Sequence, residues 1–542
     1  MTRDTRNPDD AAAWWLAAAL VALPFLQALP IDFDRTGPLF LLPPALWAGR
    51  RRLVEATVRL FSGPPWLRVG AAWLGGWTLL ATVAADHPAP AAVTAASWVL
   101  LGAAGLLAGR LIGVAPRASE RLLAGLALGA AAGIVAVWAW WWAAGRGDVP
   151  LYAHHRHLGM HALAGAVACT ALLVRPAGGW RARLGWAGAG MVIWGGLLWS
   201  GGRGPVLALA LGLAAWWWQT PAAPAQRLLA WSAVQLLAGL GLSAAMWTPL
   251  PQLGWWHAFS RTTTALQSAD VSTLTSTRTE FWSAALQQTR AAPWLGHGPD
   301  AYRFLTPKLD GQQPHNLWLQ LWLDLGLGGA LPALVLLAGA LVVAWRRTRK
   351  QETTTAPDDR PWLALGGASL ALGMLDGAFY HLVLFLPAML ALGRALDRGG
   401  GDPPREAPSA VRGGLLAATG AAVGVLLLHA WLFYALAVAP PPAGPEGCAP
   451  RSLKIFPSTT FGLGRWLDAW EPRHPEAALA WAVWAQTRAP NAPLFHVYAA
   501  RYRLARGDRA GAEAELRAAL AKAHWTVRPG IETMLREIAV PR

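Results

Sequence analysis

The chain has 542 residues, of which 54% are hydrophobic and only 14% charged, and it carries 34 tryptophans. A soluble domain holds about 25% charged residues, so this composition excludes an ordinary water-soluble globule and suits a membrane protein with tryptophans at headgroup level. The formal charge of +16 does not point to a nucleic-acid partner, because lysine and arginine collect in short loops between apolar runs and not in a basic groove.

Apolar runs of spanning length fall near residues 12–30, 38–49, 66–85, 90–110, 121–144, 158–174, 184–200, 204–218, 228–247, 324–345, 361–377, 380–396 and 413–439. They predict an all-α polytopic membrane protein with about 12–13 transmembrane helices. The 38–49 run is short and contains Pro43 and Pro44, which predicts a broken or re-entrant segment. The first run leads into Pro30, Ile31 and Asp32 with no small-residue cleavage site, so it reads as a span and not as a signal peptide. Cys169 lies in an apolar run and Cys448 in the tail, which gives no disulfide framework.

Loop charge sets an expected orientation. The amino-terminal stretch and alternate short loops hold 23 Lys and Arg, whereas the opposite short loops hold only Arg35, Arg146, Arg156 and Arg203. The rich set belongs in the cytoplasm. This divides the chain into amino-terminal transmembrane helices (1–247), a large outward, periplasmic catalytic loop (248–314), carboxyl-terminal transmembrane helices (315–439) and an outward helical tail (440–542). In the tail, helical periodicity runs through Ala477, Ala480, Trp481 and Trp484, then Leu494, Tyr498 and Leu504, then Ala512, Leu516 and Ala519. A helix–Gly507-Asp508–helix unit resembles a tetratricopeptide hairpin, and one or two such units need a surface to dock on.

Three outward features carry candidate chemistry. Ser200-Gly201-Gly202-Arg203-Gly204-Pro205 joins two apolar runs; so sharp a reversal needs glycine and leaves Arg203 at membrane depth, where it either snorkels or meets an anion. Thr277 and Glu280 have capping-box spacing, which puts Arg278 in a first helical turn. A cation there opposes the helix dipole unless a polyanion binds beside it; a solvated surface arginine is the plainer reading. The helix should stop before Pro293-Trp294-Leu295-Gly296-His297-Gly298-Pro299. Last, Pro314-His315-Asn316-Leu317-Trp318 leads into a span and places His315 at the outer boundary, where a histidine can accept a proton from a hydroxyl nucleophile. Near the outer mouth of another span, Arg156 and His157 are candidate substrate contacts. His157 and His161 also have the one-turn spacing of a paired metal site. Asp376, Tyr380 and His381 form a polar cluster at the outer turn between two late spans, which lines an acceptor path or is simply loop.

Taken in order, the Gly-rich Ser…Arg-Gly turn, the loop with Arg-x-x-x-Trp and Pro-Trp-Leu-Gly-x-Gly, and His-Asn-Leu entering a span resemble the O-antigen ligase/polymerase superfamily. That superfamily includes lipopolysaccharide O-antigen ligases, O-antigen polymerases and bacterial protein O-oligosaccharyltransferases. The resemblance covers roughly residues 190–345 closely and the flanking spans loosely. It implies an inverting, metal-independent glycosyltransferase of the inner membrane that needs no cofactor. Its donor would be a glycan on undecaprenyl diphosphate, and its acceptor hydroxyl would belong to a glycan, lipid A-core or a protein. It also implies that Arg203 and Arg278 hold the donor diphosphate, that His315 is the general base, and that Asn316 beside it can touch substrate. Two departures stand out: histidines where the family commonly has asparagines at the span beginning His154-His155-Arg156-His157, and His297 at a position that is often apolar. A transporter of lipid-linked glycans is the rival from another class, but the internal repeats typical of transporters are not evident.

Overall fold

The computed structural model describes residues 7–27, 29, 32–115, 117–144, 151–152, 154–175, 179–248, 250, 253–267, 278–305, 313–349, 358–397, 409–438, 467, 475–488, 492–523 and 527–539. Among them the regular elements are helices, with no strand. This follows from the composition, since a helix satisfies its own backbone polar groups inside a bilayer.

Each predicted run has a helical counterpart. In chain order these are α1 (Pro8–Leu26), α2 (Phe33–Leu41) with α3 (Pro43–Ala48), α5 (Pro65–Val83), α6 (Pro88–Val114), α7 (Ala118–Ala144), α8 (His155–Val174), α9 (Trp180–Trp199), α10 (Arg203–Trp218) and α11 (Ala222–Ala245). After the large loop come α14 (Leu317–Arg349), α15 (Arg360–Leu375), α16 (Leu382–Leu396) and α17 (Ser409–Val438). Helix α4 (Arg50–Phe61) follows α3, and the loop contributes α12 (Trp255–Gln267) and α13 (Arg278–Thr289). Seven of them (α1, α6, α7, α8, α11, α14 and α17) are long and apolar enough by themselves to cross a membrane. The others are shorter or less apolar and pack among them, α9 on α11, α10 on α15 and α16 on α6. The protein is thus a polytopic all-α membrane protein. The 38–49 run is broken as its prolines require, α2 giving way to α3 at Leu42.

Helix α8 is the axis of the bundle: 94% of its apolar window is buried, against 22% for α11 and 28% for α17. Small residues let the helices approach closely, as they must where lipid tails compete equally for apolar side chains. At the α6–α16 crossing a Cβ on Gly109 would sit 2.2 Å from the Gly393 carbonyl oxygen. At the end of α16 remote from His381, the buried Asp359 at the start of α15 pairs with Arg394 of α16 (2.7 Å) and Arg347 of α14 (2.8 Å) and ties the three helices together.

The longest helix is not continuous. Gly326 in α14 has φ +61 and ψ −178, and a Cβ there would lie 2.1 Å from the Trp294 carbonyl. Only glycine fits such a crossing of two backbones. The Pro293–Gly298 segment docks into the break. His297 and Gly298 donate their amides to the carbonyls of Leu323 (2.8 Å) and Asp324 (3.0 Å), while Leu327 and Gly328 donate to Pro293 (2.8 Å) and Trp294 (3.1 Å). The indoles of Trp77 and Trp73 donate to the Leu325 (2.7 Å) and Gly328 (2.8 Å) carbonyls. Backbone groups freed by the kink are therefore satisfied within the protein. The Pro-Trp-Leu-Gly run is thus a splint for a broken helix.

The tail holds α18 (Pro475–Arg488), α19 (Pro493–Ala505), α20 (Arg509–Lys522) and α21 (Arg528–Ala539). Its α19–α20 hairpin turns at Gly507, φ +79, and Asp508 caps α20 by accepting from the Gly511 amide at 2.8 Å. Trp481, Tyr498, Ala512, Leu516 and Ala519 are buried as their period demands. Two positions depart from the expected faces: Ala480 is exposed and Leu494 is 41% exposed, while Ala478, Ala482 and Ala485 are buried in their place. Cys169 is buried; Cys448 lies outside the described residues.

Candidate active site

The site forms where the amino-terminal ends of α8, α10, α13 and α14 converge with the turn after α15. Positive helix ends collect there, which favours bound negative charge. The Ser200–Arg203 turn is tight: Gly201 has φ +65, and the Gly202 amide donates to the Ser200 hydroxyl oxygen at 3.2 Å. His155 Nδ1 lies 2.7 Å from the Ser200 carbonyl oxygen and pins this turn to α8.

His315 stands at the entry to α14 with φ +54, a left-handed conformation that costs a non-glycine residue roughly 1–3 kcal/mol. Its Nδ1 is 2.7 Å from Asp376 Oδ1, and Phe281 packs against its ring at 5.5 Å between centroids. Asp376 is 3% exposed. Its Oδ1 also accepts from the Gly377 amide (2.8 Å), and its Oδ2 accepts from Arg278 Nη2 at 3.0 Å. Burial acts to raise the Asp376 carboxyl, but the hydrogen bond from His315, with the charges of Arg156 and Arg278, outweighs it and holds the group well below the usual carboxylate range. An ionised Asp376 accepts the Nδ1 proton of a neutral His315, which leaves Nε2 with its lone pair. Burial and the neighbouring Arg156 and Arg278 push the imidazole below its ordinary value of 6.5, against the pull of Asp376 in the other direction.

Around this dyad Arg203 feels the charges of Arg278 and Arg156, Arg261 feels those of Arg203 and Arg156, and the Asp376 carboxylate acts on Arg156 and pairs with Arg278. Arg203 Nη1 donates to the Thr262 hydroxyl at 3.0 Å, which links α10 to α12. Arg278 keeps a buried Nε without a hydrogen-bond partner among the described residues. The four guanidiniums gather at the positive ends of α8, α10 and α13, an arrangement suited to a polyanion.

The structure brings the expected Arg203, Arg278 and His315 together, with Arg156 beside them. His157 is buried, with its ring tilted against that of His381 at 3.6 Å between centroids. His161 turns away to the Tyr152 hydroxyl (2.8 Å), so the two histidines one turn apart face different partners. Asn316 caps α14: its Oδ1 accepts from the Leu319 amide (3.0 Å) and its Nδ2 donates to the Met374 carbonyl (2.9 Å). Both ends of that side chain are thus engaged inside the protein. His297 spans Asp86 (2.9 Å) and the Gln288 carbonyl (3.1 Å). Arg278 is the first described residue of helix α13; Thr277, the other half of the capping box, lies outside the described residues.

Tyr380 and His381 serve an adjoining network. Arg35 donates to both Asp300 oxygens at 3.0 Å and to the Tyr380 hydroxyl, and Arg303 Nε donates to Tyr380 at 2.7 Å. His381 Nδ1 meets Asp34 at 3.0 Å, and Gln313 Nε2 donates to His381 Nε2 at 2.7 Å. The broken α2 segment is thereby clamped to the loop and to the segment carrying His315. Sequence reasoning noticed Asp376 only as part of a polar turn, because no spacing rule links positions 61 residues apart. It missed Arg261, whose one signal is its phase on an amphipathic helix.

Residues 188–334 match the O-antigen ligase family Wzy_C. Comparison with curated proteins finds no match.

Proposed function

Starting from a chain that belongs, through residues 188–334, to the O-antigen ligase/polymerase superfamily, we propose that it transfers a glycan from undecaprenyl diphosphate to an acceptor hydroxyl at the periplasmic face of the inner membrane. The amino terminus is then cytoplasmic, and the large loop and the tail, with its tetratricopeptide-like hairpin, are periplasmic. The observation that carries the reading is the His315–Asp376–Arg278 chain set beside Arg156, Arg203 and Arg261.

The arginines bind the diphosphate and neutralise the charge that grows on it as the bond to the anomeric carbon breaks; in a water-poor site such preorganised charge is worth far more than in water. His315 Nε2 takes the proton of the acceptor hydroxyl as its oxygen attacks that carbon. Asp376 holds the ring and stabilises the imidazolium that forms. One displacement forms one C–O bond, breaks one, releases undecaprenyl diphosphate and inverts the anomeric configuration. The Arg278–Asp376 pair gives the two halves a shared member: the arginine that holds the carboxylate also faces the donor.

The acceptor is a sugar of lipid A-core or of a growing chain, and a protein hydroxyl is the alternative within the same superfamily. The test is a His315→Ala, Arg203→Ala and Arg278→Ala series in a deletion background, scored separately for lipopolysaccharide capping, glycan chain length and protein glycosylation. Loss of one product with normal membrane insertion supports the reading and names the acceptor. Transfer at the wild-type rate in all three variants sinks it in favour of a carrier of lipid-linked glycans.

A further inference from the structure

We infer that α12 is an interfacial helix whose apolar edge is seated in the acyl region of the outer leaflet, fixing the depth at which Arg261 and the Thr262–Arg203 hydrogen bond meet the site. The evidence is the division of its surface. At about 100° per residue, Trp255, Phe259 and Leu266 fall within about 40° of one another, and they are 40%, 68% and 63% exposed. Arg261, Ala265, Ala258 and Thr262 fill the sector adjoining that edge, from about 240° to 340° on the same scale, where Ala258 and Ala265 are buried and Thr262 accepts from Arg203. The third sector holds Ser260, Thr264 and Gln267, all exposed and polar. One face thus meets protein, one is apolar and open, and one is polar and open, as a helix lying at a membrane–water boundary requires.

The place of α12 in the fold says what covers the apolar edge. Span α11 ends at Ala245, and the exposed apolar surface it carries (Leu237 is 68% exposed) continues through Trp247, 61% exposed, to Trp255. The start of α12 is tied to span ends on both sides: the Gly254 amide donates to the Trp199 carbonyl at 2.6 Å, and His257 Nε2 meets the Thr248 carbonyl at 3.1 Å. The helix therefore begins at the depth where α9 and α11 leave the apolar layer, with two tryptophans at that level. Three apolar side chains on one helix edge are too small a patch for a stable protein interface, which covers about 800 Å² per partner. Lipid chains need no such area. This inference rests on the membrane reading alone and is independent of the glycosyl-transfer reading.

The test uses the full chain with Cys448→Ser in phosphatidylethanolamine–phosphatidylglycerol nanodiscs; Cys169 is buried and is left in place. Nitroxide labels are attached at Phe259→Cys and Leu266→Cys, and at Ser260→Cys and Thr264→Cys as the polar face. Collisions with oxygen, which partitions into lipid, are compared with collisions with a water-soluble nickel chelate. The expected result is an oxygen-to-nickel accessibility ratio several-fold higher at 259 and 266 than at 260 and 264. Equal ratios at all four sites overturn the inference in favour of a helix raised into water. Low accessibility to both reagents at 259 and 266 overturns it in favour of a protein covering the face. Neither result depends on catalysis, so failure here is distinguishable from failure of the enzyme reading.

Discussion

Asp376→Asn isolates the orienting carboxylate while keeping its size. The wild-type group accepts His315 Nδ1 at 2.7 Å and Arg278 Nη2 at 3.0 Å, so the substitution weakens two charge-assisted hydrogen bonds at once. Losing one such bond to a charged group costs roughly 1.5–3 kcal/mol, which is about 10- to 150-fold in rate if it is felt only in the transition state. The asparagine amide can also donate to Nδ1 and so drive the imidazole proton to Nε2, removing the base; in a Ser-His-Asp triad that same error costs about 10⁴-fold. The expected fall in kcat is therefore roughly 10²- to 10⁴-fold, bounded by these two terms. The acidic limb of the pH–rate profile gives a second readout. His315 works unprotonated, and its burial and arginine neighbours put its pKa below 6.5, so the wild-type rate should rise with pH with its half-maximal point below that value. Asp376 acts to raise this pKa; removing its charge should move the limb to still lower pH while the plateau drops. The assay is transfer from a purified polyprenyl-diphosphate glycan to acceptor in nanodiscs, with size-exclusion behaviour as the folding control. A variant that keeps more than half of the wild-type kcat, with an unmoved limb, refutes the assignment of Asp376 as the residue that orients His315.

Four further outcomes follow from the same geometry. Arg261→Ala should raise the KM for donor by roughly tenfold or more, the worth of one charge-assisted contact to phosphate, and Arg261→Lys should recover part of it; donor titration checks this. His297→Ala should leave transfer within about twofold of wild type and lower thermal stability by roughly 1 kcal/mol for the lost ties to Asp86 and Gln288, read as a fall in the unfolding midpoint in detergent. Gly326→Ala forces a Cβ against the Trp294 carbonyl at a positive φ, and should cost several kcal/mol by overpacking and strain, seen as lost folded yield; normal yield would show that the splint is not needed. Arg35→Ala leaves Asp300 buried with Arg303 as its remaining ion-pair partner and should destabilise by about 3 kcal/mol, with urea or thermal unfolding as the measure.

The sequence by itself determined the all-helical membrane fold, because hydropathy over a span is a local sum and the bilayer leaves a helix as the only economical answer to it. It also determined that the 38–49 run breaks, since Pro43 and Pro44 act on their own turn. Ordered motifs were enough to single out Arg203, Arg278 and His315. What only the tertiary structure decided is what these residues touch. Asp376 reaches His315 because α15 ends beside the entry to α14, and Arg261 joins the other arginines because α12 presents one edge to α10. The Pro-Trp-Leu-Gly run turned out to splint the break at Gly326 through backbone bonds that no side-chain pattern encodes. Asn316, beside the candidate base, spends its amide on capping a helix. Partners tens of residues apart meet through the packing of whole helices, and that packing depends on the summed shape of many side chains. Local spacing therefore names the chemistry that a residue can do, and the assembled bundle selects which neighbour lets it do so.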